Sequence, residues 1–175
     1  MRVQRKLLIT VAEWTEGTGS SATTKKEILG WRTPDSSIEY NPDKQKTTDV
    51  LGITYGDIEK TEPTQTFDPH YVNSGSDLDT YLKKAAMEND IDAYNGAFTV
   101  YVIDATQDSG SGSSHAYYAV KHTGCTISPT SLGGENYVSM PIEVDYSNNI
   151  TVGTVSNIAP DSGSDTAITF TFTEA

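Results

Sequence analysis

The sequence predicts a mainly β protein, with antiparallel strands, one flanking α-helix and a long extended loop. Three observations carry that reading. Apolar and polar residues alternate with period two through Val138, Met140, Ile142 and Val144, and again through Ile168, Phe170 and Phe172, the mark of strands buried on one face. Clusters of Gly, Ser, Asn and Asp separate such runs, as turns require. One segment alone, Leu78, Tyr81, Leu82 and Ala85, has the i, i+3, i+4, i+7 spacing of an apolar helix stripe.

Taken in order, Leu7–Ala12 is a short apolar run that reads as a strand. Arg2, Arg5 and Lys6 precede it, but the run stops at Glu13, short of the ~7–15 residues of a signal-peptide core. The expectation is therefore a protein made inside the cell. Thr15–Thr24 is rich in Gly, Ser and Thr and reads as a loop; Glu27–Arg32 and Ser37–Tyr40 read as strands. From Asn41 to Pro69 the chain is polar and punctuated by Pro42, Pro63 and Pro69. A loop of that length inside a domain is functional or orders against a partner. A helix over residues 76–89 follows, with Ser76 as N-cap, Asp79 in a box-like position, acidic residues at its start and Lys83 and Lys84 later. One such helix cannot enclose a core and has to pack on a sheet. Ala97–Ala105 and His115–His122 are strands joined by the mobile Asp108–Ser114 loop. Tyr137–Asp145 is a strand in which Pro141, lacking an amide proton, marks an edge or bulge. Ser147-Asn148-Asn149 and Asp161–Asp165 turn the last strands.

At 175 residues the chain suits one domain, 1–175, large enough to fold without disulfides or metal. Cys125 stands alone and reads as a core residue. No stretch approaches the ~20 apolar residues of a spanning helix. Residues 1–60 hold nine basic and nine acidic side chains, whereas residues 61–175 hold three basic and fifteen acidic, so the latter carry the net charge of −12. Such a surface repels nucleic acid and anionic membrane.

No catalytic constellation emerges. The histidines are His70, His115 and His122, and the last two, seven apart on one strand, face opposite ways and cannot share an ion. Asp90-Ile-Asp92 and Asp161–Asp165 lack the full ligand pattern of a calcium loop. No nucleophile elbow lies between a strand and a helix, and Gly110-Ser-Gly112 lacks the ending of a phosphate loop. A carboxylate-based hydrolase has no specific support. The expectation is no enzyme, no metal and no cofactor.

The polar segment reads Ser37-Ile-Glu-Tyr-Asn-Pro-Asp43, then Thr48-Asp-Val-Leu-Gly52, then Asp57-Ile-Glu-Lys-Thr-Glu-Pro-Thr-Gln-Thr-Phe-Asp-Pro69. Over residues 36–90 it resembles the major tail tube proteins of tailed phages and phage-like particles; Ala97–Asp104 fits their next strand, and the remainder matches only in strand pattern. The resemblance implies an antiparallel β-sandwich or partial barrel with a flanking helix. It implies six copies in a ring, with rings stacked into a hollow tube in the virion tail, made in the host bacterial cytoplasm. Its partners would be itself, a tape-measure protein, and tail-terminator and baseplate proteins. DNA would pass without specific binding, and no membrane is involved. Residues 41–58 would be the loop that reaches the neighbouring ring. Asn41, Pro42, Asp43, Thr48, Asp49, Asp57, Thr61, Glu62, Pro63, Gln65, Phe67, Asp68 and Pro69 would be stacking, packing or contact positions. Glu143 and Asp145, on the polar face of a strand, are the candidates for the lumen. The alternative is a β-sandwich binding module, either for carbohydrate, with Trp14, Trp31 or Tyr117-Tyr118 as stacking platforms, or a baseplate or capsid-decoration protein.

Overall fold

A computed structural model of the chain describes residues 7–34, 36–111, 114–160 and 165–175. The basic residues Arg2, Arg5 and Lys6 and most of the Asp161–Asp165 turn lie outside the described residues. The fold is mainly antiparallel β with one helix, as expected. Its elements are β1 (Leu8–Glu16), β2 (Thr23–Ile28), β3 (Ile38–Glu39), β4 (Pro42–Thr48), β5 (Thr54–Thr61), β6 (Thr64–Phe67), α1 (Asp77–Glu88), β7 (Phe98–Asp108), β8 (Ala116–Pro129), β9 (Ile142–Asp145), β10 (Ile150–Pro160) and β11 (Ile168–Glu174).

The long strand β8 organises the sheets. Along Ala116–His122 it pairs with β10 on one side and β7 on the other; along Thr126–Pro129 it pairs with β9. Between the two stretches, Phe98 faces Cys125 and Thr99 faces Thr123, leaving Gly124 as the extra residue of a bulge. Its φ of 82° is one glycine adopts without penalty. The bulge lets a single strand serve two sheets. The larger has the order β2-β1-β7-β8-β10-β11 and the smaller β8-β9-β6-β3. The larger curls until its ends touch at one bridge, Glu27 to Ala167, with Ile28 N donating to Thr166 O at 2.9 Å. It stops there and does not close into a barrel.

Two cores follow from this curl. Ala12, Trp14, Phe98 and Val100 face the inner side of the small sheet, where Phe67, Ile127, Ile142 and Val144 meet Leu78 and Leu82 of α1. Val11, Tyr101, Ile103 and Ala119 face the other way, into the curl, against Val155, Ile168 and Phe170. β1 and β7 are thus covered on both faces, which is why their sequences run apolar without alternation. Cys125 is buried in the first core, and burial pushes its thiol pKa up.

The helix begins and ends where its caps dictate. Ser76 Oγ accepts from Asp79 N at 3.0 Å, and Asn89 closes the last turn at a φ of 53°. Asp79 does not complete a capping box. Its buried carboxylate instead accepts from Asn73 N at 2.7 Å and meets His70 Nε2 at 2.8 Å. The carboxylate at the helix start comes from Glu27 on β2, which accepts from Asp77 N, Leu78 N and the hydroxyls of Ser76 and Thr166.

Several sequence expectations are corrected. The Thr15–Thr24 loop narrows to Gly17–Ala22, because its ends belong to β1 and β2, where cross-strand pairs support polar residues: Lys26 meets Glu13 at 3.2 Å and Lys25 meets Glu16 at 3.0 Å. The strand of Glu27–Arg32 ends at Ile28, and that of Ser37–Tyr40 shrinks to Ile38–Glu39. The strand of Tyr137–Asp145 starts only after Pro141, leaving Val138 exposed while Met140, Ile142 and Val144 are buried. Ser147-Asn148-Asn149 does not reverse the chain: β9 and β10 run on along the same side of β8. The 41–58 loop is a hairpin.

Candidate functional site

That hairpin, β4–β5, is built by residues at its base, its strands and its tip. At the base Asn41 leaves the small sheet at a φ of 42°, a conformation asparagine tolerates better than most residues. Its Nδ2 donates to Glu62 O at 3.1 Å and to Thr64 Oγ1 at 3.2 Å, tying the two legs together. Pro42 occupies the first strand position, where its missing amide proton costs least. Lys60 Nζ lies 2.6 Å from Glu62 Oε1, and that hydrogen bond holds the Glu62 carboxyl below its usual pKa.

Pairing runs from Pro42–Thr61 to Thr48–Thr54, with a bulge at Asp43/Lys44. Among the described residues β4 and β5 pair only with each other. From Asn41 to Lys60 every residue is exposed apart from the half-buried Asp43 and Asp49.

The tip is a preformed turn. Gly52 N donates to Asp49 O at 3.0 Å, and Asp49 Oδ1 accepts from Leu51 N and Ile53 N, both at 2.9 Å. Asp at the first and Gly at the fourth position are the residues this turn favours. The Ile53 amide first, then the Leu51 amide and the Tyr55 hydroxyl, hold the Asp49 carboxyl below its usual pKa. All of this hydrogen bonding serves to aim two apolar side chains outward: Val50 is 101 % and Leu51 80 % exposed. Ile53, Tyr55 and Ile58 are exposed as well.

The second half of the segment behaves differently. On β6 and the residue before it, Pro63, Gln65 and Phe67 point inward and are buried, so their side chains pack within this chain and are not exposed as contact positions. Gln65 joins three elements: its Oε1 accepts from Tyr146 OH at 2.6 Å and from Thr10 Oγ1 at 3.2 Å, and its Nε2 donates to Ser36 Oγ at 2.9 Å. Thr61 is half-buried at the hairpin base. Asp57, Glu62 and Asp68 are exposed, and Pro69 is half-buried after a cis peptide bond.

The outer face of the small sheet is polar. Glu39, Thr64, Asp145 and Thr126 lie side by side across its four strands, with Thr66, Glu143 and Ser128 in the row beside them. Asp145 is exposed and Glu143 half-buried. None of these residues is basic.

Other candidates disperse. Trp14 lies in the core and cannot serve as a sugar platform, and the Arg32 guanidinium covers Trp31 at 4.0 Å. Tyr117 packs into the curl while Tyr118 faces out. Asp108 accepts from His115, Ala116 N and Gly110 N, which together hold its pKa at about 2 and order the stem of its loop. Among the described residues no group of three or more His, Cys, Asp or Glu is placed to hold a metal, and no helix is long and apolar enough to cross a membrane. No protein-family model matches the chain, and no characterised protein matches it.

The hairpin escaped sequence reasoning because Lys44–Thr48 and Thr54–Lys60 show no apolar alternation. Asp49 with Gly52 was the available signal for its turn.

Proposed function

We propose that this chain is a self-assembling structural subunit of a phage-type tail tube, forming rings of six that stack into a hollow tube through which DNA passes. Its work lies in repeated contacts with further copies, and at the tube's ends with tape-measure, terminator and baseplate proteins in the virion. The observation that carries this reading is the hairpin β4–β5. An isolated two-stranded ribbon is marginal in water, and this one exposes both outer edges and an apolar tip. Unpaired edges invite another chain, and a segment that buries so little in its own subunit is suited to ordering against a neighbour.

The polar face carrying Glu143 and Asp145 is the lumen surface in this reading. Acidic residues without basic neighbours keep a DNA backbone from adhering, over the ~8 Å that physiological salt permits.

The test is negative-stain microscopy of the purified protein across a concentration series, beside a variant in which two glycines replace Lys44–Glu59. Rings or hollow tubes are expected for the native chain, and a folded β-rich monomer for the variant. Long tubes from the variant, or a native chain monomeric at every concentration, would overturn the proposal.

A further inference from the structure

The hairpin leaves the body at one end of the small sheet, beside Thr64, the first residue of β6. At the other end of β6 the chain continues past Pro69 to Tyr71, which bridges Ser139, while Val72 N donates to Val138 O at 2.9 Å. A second apolar surface gathers there. Tyr71 and Tyr137 meet edge to face with ring centroids 6.2 Å apart, and Val138 and Leu132 lie exposed on the same loop. Tyr137 is 76 % exposed, an odd place for a ring held by another ring. The four residues of β6, about 13 Å of strand, separate this patch from the hairpin base.

From this placement we infer that the patch around Tyr71 and Tyr137 is the docking site for the Val50–Leu51 tip of a second copy of this chain. The inference rests on the stacking reading above and specifies which surface receives the hairpin. A contact between unlike surfaces at the two ends of β6 is heterologous, and where the rotation does not close it repeats as an open stack. The chemistry of the two surfaces matches. Tyrosine rings bury large area at low conformational cost, and Val50 and Leu51 are apolar side chains with nothing of their own subunit to cover them. The charges match too. Asp68 and Glu135, three and two residues along the chain from Tyr71 and Tyr137, are both exposed, and no Lys or Arg occurs between residues 61 and 82 or after Lys121. The hairpin brings Lys44 and Lys46, both exposed and without a carboxylate partner among the described residues.

A rival acceptor lies at the hairpin's own end: an apolar groove of about 200 Å³ lined by Ile38, Tyr40, Val102, Val120, Tyr146 and Ile150. Cross-linking separates the two. The sole native cysteine, Cys125, is buried, so surface cysteines report cleanly. Full-length Leu51→Cys would be mixed with full-length Tyr137→Cys or with Ile150→Cys, assembled and oxidised. The expected result is a cross-linked dimer from the first pair at least fivefold above the second, in tubes of normal appearance. Tubes that cross-link instead through residue 150, or through neither, would overturn the docking face and leave the stacking reading standing. A mixture that neither assembles nor cross-links, while singly substituted and native chains also stay monomeric, would sink both. A Tyr137→Ser chain, altered only at an exposed ring, should fold normally and lose stacking; normal stacking by that variant counts against the inference.

Discussion

Thr61 ends β5 and Thr64 begins β6, yet the two ladders they belong to have little in common. β5 pairs with β4 along seven positions and buries almost nothing; β6 pairs with β9 along four and buries Gln65 and Phe67 completely. The longer ladder has more backbone hydrogen bonds and the weaker claim to independent stability. Each such bond replaces one with water and nets little, whereas a buried aromatic removes its whole surface from solvent. Burial, not pairing, divides the body of this chain from its arm.

The sharpest way to break that contrast is at Phe67. Gly30 packs flat against its ring: a Cβ there would sit 2.8 Å from Phe67 Cε1, and the φ of 80° suits glycine. Truncation in Phe67→Ala should cost about 3–5 kcal/mol by denaturant unfolding. A loss below about 1 kcal/mol would show that the small sheet is not part of the cooperative body.

Next in size is Glu27, which joins β2, the start of α1 and the chain before β11. Glu27→Gln keeps the shape but turns an amide toward donors, and should cost about 2 kcal/mol in the same measurement. An unchanged unfolding midpoint would remove Glu27 from the scheme.

The smallest effect falls on the arm. Asp49 is held below its usual pKa by the Ile53 and Leu51 amides and the Tyr55 hydroxyl. Its contribution to the tip is therefore complete above the ordinary aspartate value of about 3.9 and is lost as pH falls through the lower folded value. A chemical-shift titration of the Asp49 carboxyl should give a midpoint below that of a free aspartate, with the body still folded. A midpoint at the ordinary value would mean that the turn is not formed in solution.

Legibility in the sequence followed the same division. The helix could be read residue by residue, since Ser76, its apolar stripe and Asn89 are local signals. So could β7, β11 and the first half of β8, where apolar residues mark buried positions; the second half of β8, past His122, lay outside the expected strand. Sequence pattern was blind to β4 and β5, because nothing lies beneath them to impose alternation. It missed the Glu27 carboxylate at the helix start, since the partners are about fifty residues apart, and mistook Ser147–Asn149 for a reversal, because the same turn-forming residues also serve a strand that merely passes from one sheet to another. Of the candidate site, Asn41, Asp49 and the polar face at Glu143 and Asp145 could be anticipated. The inward direction of Gln65 and Phe67 could not, until β6 had a register.

The placement of the hairpin and the Tyr71–Tyr137 patch at opposite ends of β6 has a mechanical side. Tension applied between those ends enters beside Thr64 and leaves beyond Phe67, so it runs lengthwise along β6 and β9. Their cross-links would then be strained together in shear instead of being peeled apart singly, and a thin sheet loaded in that direction behaves as a tie rod.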